Sequence, residues 1–238
     1  MRKLKITLLA VLLLAAGSVA AQKKIYLEPR LGLGTFRMKS MKEFQQTLIS
    51  RSNVNAKATD SFGPYFQLGL NAVMDLDEQT RVGLFVERSS TGGRVAYEDY
   101  SGELRYDTPV NYTALGAMLY THEPILNSQL SFVAGIEASA FISRLRIETY
   151  GRLYNESDSS SDTFSSKGVG LKPFIGLQYP ILTIPARLTF GYLASGSRAF
   201  HVPGEPDQYL VRNSDNDKLE PSWNGIRLNL SVSFPISR

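Results

Sequence analysis

Hydrophobic and polar residues alternate along residues 223–234, which read WNGIRLNLSVSF. Every second position from Ile226 to Phe234 is apolar, and the positions between them include Arg227 and Asn229. Successive side chains of a β-strand point to opposite faces. This segment is therefore predicted to be a strand with one apolar and one polar wall.

Seven further segments alternate in the same way, and each of the eight has 9–14 residues, the length of a tilted membrane-spanning strand. Pro29 has no N–H for a strand ladder, so we expect a bulge or local break there. In the fourth segment we expect the apolar face to consist of Tyr112, Ala114, Met118 and Tyr120. The eight predicted strands are Ile25–Phe36, Tyr65–Met74, Thr80–Arg88, Val110–Tyr120, Gln129–Ile142, Val169–Tyr179, Ala186–Ala194 and Trp223–Phe234.

The connections between these strands alternate in length. The short ones are Asp75–Gln79, Thr121–Ser128 and Ile181–Pro185, and the long ones are Arg37–Gly63, Ser89–Pro109, Ser143–Gly168 and Ser195–Pro221. This alternation is typical of outer-membrane barrels. We predict an all-β, eight-stranded, antiparallel up-and-down transmembrane barrel with short periplasmic turns and four long extracellular loops. Lipid offers no hydrogen bonds, so the first strand must pair with the last.

Alternation alone does not say which wall faces outward, and a soluble lipocalin-like barrel would turn its apolar wall inward. Two features favour an apolar exterior in a membrane. The polar walls carry charges of both signs, which are costly against lipid: Glu28, Arg30, Arg81, Glu87, Glu137, Lys172, Arg187 and Arg227. Aromatic residues near the strand ends indicate membrane-interface girdles: Phe66, Tyr112, Tyr120, Phe132, Tyr179, Tyr192 and Phe234.

The eight charged residues are predicted to line a narrow lumen. An eight-stranded barrel is filled by side chains, so we interpret the charges as a structural ion-pair network with at most three one-to-one pairs. The alternative is a gated or leaky ion path along the same residues.

The N-terminus is typical of a secretory signal peptide. Arg2, Lys3 and Lys5 precede a short apolar run, and the small residues of 18–21 suit a cleavage site just before Ala21 or Gln22. The alternative, a membrane anchor, needs about 20 apolar residues. We expect residues 1–21 to be a cleaved signal and residues 22–238 to form one barrel domain.

The signal also accounts for the basic charge of the chain. It contains three of the 26 basic residues and none of the 22 acidic ones, which leaves 23 basic and 22 acidic residues. A nearly neutral mature chain is no argument for nucleic-acid binding. The chain has no cysteine, which excludes a disulfide scaffold and cysteine metal sites.

Together, the signal, the eight alternating strands, the loop pattern and the C-terminal aromatic Phe234 resemble the small OmpA/OmpX-like outer-membrane barrels of Gram-negative bacteria. The resemblance implies insertion by the barrel-assembly machinery, with Phe234 as the assembly-signal aromatic, although residues 235–238 follow it. It does not imply the peptidoglycan-binding domain that some relatives carry.

Three features of the long loops suggest further structure. Residues 41–49 place Met41, Phe44 and Leu48 at helical spacing, which predicts a short amphipathic helix. Such a helix would plug the top of the barrel, lie on the membrane or be a loop ornament, and we favour the last. The polar run 155–162 is typical of a mobile tip. Six tyrosines lie in or near the loops: Tyr97, Tyr100, Tyr106, Tyr150, Tyr154 and Tyr209. They would form a binding surface or pack at the barrel rim, and we favour rim packing.

Candidate chemistry is sparse. His201 lies near Ser195, Ser197 and Asp207 in the last long loop, but a general base needs a nucleophile within hydrogen-bond reach. We therefore expect no catalytic, cofactor-binding or metal-ligating residues, and no cofactor.

The sequence thus predicts a non-enzymatic, monomeric outer-membrane barrel with an envelope-structural or surface-binding role through its long outer loops. Its expected partners are outer-membrane lipid, lipopolysaccharide and, during assembly, the barrel-assembly machinery. The surface ligand is left open. The alternatives are a lipid-modifying enzyme at the outer rim and a narrow ion-conducting barrel.

Overall fold

The computed structural model describes residues 24–126, 128–211 and 217–236 of the chain, with twelve strands and one helix in those ranges. The helix, α1, is Lys39–Arg51. The strands are β1 Ile25–Gly34, β2 Lys57–Ser61, β3 Tyr65–Asp75, β4 Thr80–Glu98, β5 Gly102–Pro124, β6 Ser131–Leu153, β7 Glu156–Ile181, β8 Ile184–Ser197, β9 His201–Val202, β10 Glu205–Tyr209, β11 Gly225–Val232 and β12 Phe234–Pro235.

Eight of these strands close into an antiparallel ring in the order β1, β3, β4, β5, β6, β7, β8, β11 and back to β1. The predicted closure of the first strand on the last is confirmed by pairs from Arg30 with Ser231 to Gly34 with Arg227. The break expected at Pro29 affects only one of the two ladders that β1 forms. Pairing with β3 runs through Pro29 without a shift, whereas the opposite ladder is interrupted between β11 and β12.

The apolar walls of the barrel face outward and the polar walls face inward. Leu68, Leu84 and Leu115 are about two-thirds exposed, whereas all eight predicted lumen charges are buried. The face assignment of the fourth predicted strand was wrong. Its Tyr112, Ala114, Met118 and Tyr120 are buried in the interior, so the two tyrosines do not belong to an interface girdle. The girdle residues that are exposed are Phe66, Phe132, Tyr179, Tyr192 and Phe234.

The predicted loops Ser89–Pro109 and Ser143–Gly168 are largely strand. This corrects the expectation of a long loop at Ser89–Pro109, whereas the strand-like composition of 143–154 favours the extension of the fifth strand. β4 and β5 remain paired up to Glu98 and Glu103, and β6 and β7 up to Leu153 and Glu156. The stretch 155–162, expected to be a mobile tip, is mostly exposed strand of β7. Along 156–163 of β7 both faces are exposed, so the ladder continues there without the alternation that reveals a strand.

The first long connection folds over the outer end of the barrel. α1 buries Met41, Phe44 and Gln45, and the Gln45 amide nitrogen donates to the carbonyl oxygens of Asp60 (2.5 Å) and Arg94 (3.1 Å). The helix is therefore tied to β2 and β4 and covers the barrel. The predicted helix exists, but its interpretation as a loop ornament was wrong.

The predicted signal peptide, residues 1–21, lies outside the described residues. Within the described part of the chain, no helix combines the length and apolar character needed to cross a membrane.

Candidate functional site

One group of lumen charges lies near the short-turn end of the barrel. The Glu28 carboxylate is 2.6 Å from the Arg187 guanidinium and 4.0 Å from that of Arg81. Arg81 also pairs with Asp75 at 2.7 Å. Glu28 accepts further hydrogen bonds from a side-chain amide and two hydroxyls, those of Asn71, Tyr120 and Ser233. We call Glu28, Asp75, Arg81 and Arg187 the turn-end cluster.

A second group occupies the middle of the lumen. Arg30 forks between Glu87 and Glu137, at 2.6 Å from each, and Lys172 is 2.8 Å from Glu137. All four side chains are at least nine-tenths buried. Tyr112 donates its hydroxyl proton to Glu87. These four charges, the central cluster, balance one another because each buried ion has an opposite charge in contact.

Arg227, the eighth predicted lumen residue, has no carboxylate partner among the described residues. Its guanidinium donates to the carbonyl oxygens of Thr35 (2.5 Å), Trp223 (2.6 Å) and Ile226 (3.1 Å). It also lies 4.8 Å from the centre of the Phe36 ring, a cation–π distance.

The pairing differs from the one-to-one pattern that we predicted, because four of the charges each contact two partners: Glu28, Arg30, Arg81 and Glu137. Sequence reasoning also missed Asp75, which it assigned to a turn. A signal was available, because Asp75 has the same parity along β3 as the inward-facing Asn71.

Aromatic side chains close the lumen above the central cluster. The Trp223 ring centre is 4.5 Å from that of Tyr112 and 5.2 Å from that of Phe36, and its Nε1 donates to the Ser143 hydroxyl at 2.8 Å. Trp223 is fully buried, and α1 contributes Met41 to the same apolar cluster. We call this layer the aromatic lid.

Little free space remains between the lid and the central cluster. The cavity beside Glu137, Lys172 and Trp223 has a volume of about 10 Å³, room for about one water molecule. A hydrated ion does not fit through this level of the lumen unless the lid moves.

His201 lies outside the barrel at the outer rim. Its Nε2 is 3.2 Å from the Ser165 hydroxyl oxygen, whereas no contact with Ser195, Ser197 or Asp207 is formed among the described residues. No carboxylate in the described part of the chain orients the imidazole. The arrangement therefore lacks the third member of a nucleophile–base–acid relay.

The outer halves of β4, β5, β6 and β7 form a continuous four-stranded sheet above the apolar belt, which we call the outer sheet. From Ile142 to Leu153 it rises about 35 Å at 3.3 Å per residue. At its tips, Tyr100 is 98% exposed and Tyr154 is 70% exposed, so the rim packing that we favoured for the loop tyrosines does not hold for these two.

The β4–β5 tip is held by one carboxylate. Asp99 accepts hydrogen bonds from the Tyr97 hydroxyl at 2.7 Å, from the Ser101 hydroxyl and amide, both at 2.8 Å, and from the Gly102 amide at 3.0 Å. These bonds, led by that of Tyr97, lower the pKa of Asp99 to about 2. The tip is therefore an ordered turn.

No group of three or more His, Asp or Glu side chains in the described ranges is arranged to hold a metal ion. The lumen carboxylates are occupied by guanidinium, ammonium and hydroxyl groups.

The chain matches no protein-family model and no curated protein. Three solved structures share 10–14% identity with it over 88–89% of its length. They are Neisserial surface protein A (14% identity, 97% of that chain, TM-score 0.40), the outer membrane protein OprG from Pseudomonas aeruginosa (10%, 96%, 0.45) and the attachment invasion locus protein Ail of Yersinia pestis (11%, 97%, 0.32). Such likeness concerns the fold alone. By its closed ring and inside-out burial, the chain is an eight-stranded antiparallel barrel with an apolar exterior and a charged lumen.

Proposed function

We propose that this protein is a non-enzymatic outer-membrane barrel that displays the outer sheet as a rigid binding surface. The observation that carries the proposal is the ladder of β4 to β7, which keeps one register from the apolar belt to the hairpin tips and is interrupted between β5 and β6 only at Thr108 and Pro109. Long hairpins held in one sheet present side chains at fixed positions, as binding loops on a rigid scaffold do.

The filled lumen supports display rather than passage. The central cluster and the aromatic lid occupy the space through which a solute would pass, and the remaining cavity of about 10 Å³ is smaller than a hydrated ion. The same packing stiffens the base of the outer sheet. The channel alternative has no observation in its favour.

The outer sheet offers surfaces suited to recognition. An open groove of about 500 Å³ is lined by Thr59, Gly93 and the exposed ion pair of Arg94 with Asp107. The edge of β7 at 156–164 pairs only with β6 among the described residues, so its backbone can add a partner strand. Tyr100 and Tyr154 at the tips supply apolar contact area with a polar end.

The same proposal places the protein in the outer membrane, exported by the signal of residues 1–21. The exposed apolar belt would contact outer-membrane lipid and lipopolysaccharide. Phe234, which pairs with Leu27 at the closing seam and is exposed, is the proposed signal for the barrel-assembly machinery. We propose that the barrel acts as a monomer.

A trimmed barrel tests the surface role. Replacing 95–106 and 147–162 each by Asn-Gly removes the upper outer sheet and leaves the facing pairs Arg94–Asp107 and Arg146–Thr163 joined by two-residue turns. Cells that express the full or the trimmed barrel are compared for adhesion to immobilised serum and matrix proteins and for detergent sensitivity.

We expect trimming to abolish adhesion and to leave envelope integrity unchanged. Outer-membrane fractionation and the gel-mobility difference between unboiled and boiled protein serve as the control for barrel folding. Equal adhesion by the trimmed barrel would refute the surface role, and a loss of detergent resistance would instead support an envelope-structural role.

A further inference from the structure

Three cations lie side by side on the outside of the barrel, at the upper edge of the apolar belt. They are Arg144 on β6, Lys167 on β7 and Arg198 just after β8, and all three are exposed. We call them the rim cluster. The Arg198 amide donates to the Lys167 carbonyl oxygen at 2.8 Å, which continues the β7–β8 register by one residue beyond the Gly168–Ser197 pair. Lys167 and Arg198 therefore face each other directly across the two chains.

Arg144 is a diagonal neighbour of Lys167. The β6–β7 register pairs Ile142 with Lys167 and Arg144 with Ser165. Alternation along the strands places Arg144 and Lys167 on the same outward face. Residues that are diagonal across an antiparallel pair are about 7–8 Å apart, within reach of long side chains.

The three charges have no carboxylate partner among the described residues. The neighbouring Arg146 differs, because it pairs with Glu148 at 3.1 Å. Like charges directly opposite on a sheet are destabilising. An arrangement that brings Lys167 and Arg198 together is thus suited to an anion supplied from outside the chain.

An open groove connects the rim cluster to the apolar belt. It has a volume of about 590 Å³ and runs between Lys167, Val169, Gly196 and Arg198. Gly196 faces outward with nothing near the position of a Cβ, so the floor of the groove is backbone. The next outward side chains toward the belt, Ile142 below Arg144 on β6 and Val169 below Lys167 on β7, are 51% and 64% exposed.

We propose that the rim cluster binds the phosphate of a lipid headgroup in the outer leaflet. Cations above an exposed apolar wall match a ligand that is anionic at one end and hydrocarbon at the other. A soluble anion would use the cations alone and would leave Ile142 and Val169 uncovered. The inference rests on the proposed location in the outer membrane and identifies a lipid partner for it.

Titration with a short-chain lipid tests this site. The folded barrel in octyl glucoside is titrated with dioctanoyl phosphatidic acid while the amide NMR signals of Gly168, Val169 and Gly196 are followed. Dioctanoylglycerol, which lacks the phosphate, and inorganic phosphate, which lacks the chains, are titrated in the same way.

The test variant is Lys167→Gln with Arg198→Gln. The matched control is Lys57→Gln with Arg152→Gln, which removes one exposed cation from β2 and one from the outer sheet. We expect about tenfold weaker phosphatidic acid binding for the rim variant, the scale of two solvent-facing charge contacts, and no change for the control. Salt weakens binding to the wild-type protein by screening.

Equal binding by the rim variant, or equal binding of dioctanoylglycerol, overturns the proposal. Inorganic phosphate that shifts the same amides with the same affinity as the lipid overturns its lipid source. The trimmed barrel retains the rim cluster, so it binds phosphatidic acid even if the outer sheet proves to have no surface role. Failures of the two proposals are therefore distinguishable.

Discussion

Glu137→Gln should destabilise the barrel more than any exposed charge substitution, because Glu137 is the shared partner of Arg30 and Lys172. Arg30 retains Glu87 at 2.6 Å, but Lys172 loses the carboxylate 2.8 Å away. The central cluster then carries an uncompensated positive charge with both cations about 5% exposed. Breaking a buried ion pair from one side costs about 3–5 kcal/mol, so we expect a loss of that size in the free energy of unfolding.

A second substitution tests the reason. Adding Lys172→Met to Glu137→Gln removes the orphaned charge and leaves the Arg30–Glu87 pair intact. The double variant should therefore recover stability relative to Glu137→Gln, since an apolar replacement of a buried pair is often nearly neutral. The two changes should be strongly non-additive, as expected for residues in contact.

The assay is reversible denaturant unfolding of the barrel in lipid vesicles, followed by tryptophan fluorescence and by gel mobility. Glu148→Gln is the control, because it breaks the exposed pair with Arg146 and should cost no more than about 1 kcal/mol. A loss below about 1 kcal/mol for Glu137→Gln, or a double variant no more stable than the single one, would refute the reasoning.

Three further predictions concern the lid, a hairpin tip and the rim. Trp223→Ala should lower the free energy of unfolding by about 3–5 kcal/mol, since it empties a fully buried site. It should also raise the single-channel conductance if the aromatic lid blocks the lumen. Both quantities are measured on reconstituted barrels. The pKa of Asp99 is lowered to about 2. The turn that Asp99 holds should therefore be fully formed above the usual carboxyl pKa and should be lost as the pH falls through about 2. The NMR signal of the Ser101 amide reports this change, and a titration of that signal near pH 4 would contradict the Asp99 contacts. His201→Ala should leave the lipid composition of the outer membrane unchanged, as measured by mass spectrometry, and an altered lipid profile would revive the enzyme alternative.

The sequence was sufficient to predict the barrel within the membrane region. Alternation at period two predicted the eight ring strands, and the presence of charged residues on the polar walls predicted that those walls face inward. The fourth strand was the exception. Its predicted apolar face includes Tyr112 and Tyr120, but their hydroxyls donate to Glu87 and Glu28 in the lumen.

Above the belt the sequence was a partial guide. Leu145 and Ile147 alternate with arginines, and the strand-like composition of 143–154 favours an extension of the fifth strand beyond the membrane. No alternation marks the polar run 155–162, which is exposed although the backbone ladder continues through most of it. The helix of the first loop was visible in its spacing, but its position over the barrel depends on contacts with β2 and β4 that are remote in sequence.

Outside the fourth strand, the sequence by itself thus determined which side chains face outward and which face the lumen, because a strand fixes the parity of its side chains. Only the tertiary structure decided which interior charges meet. That depends on the stagger of the strands around the ring, which brings Arg187 to Glu28 and Arg30 to Glu137 across 159 and 107 residues. The same stagger places the Arg227 guanidinium where it donates to backbone carbonyl oxygens, and it places Lys167 beside Arg198 at the rim. Parity is a property of each strand alone, whereas register is a property of the closed ring.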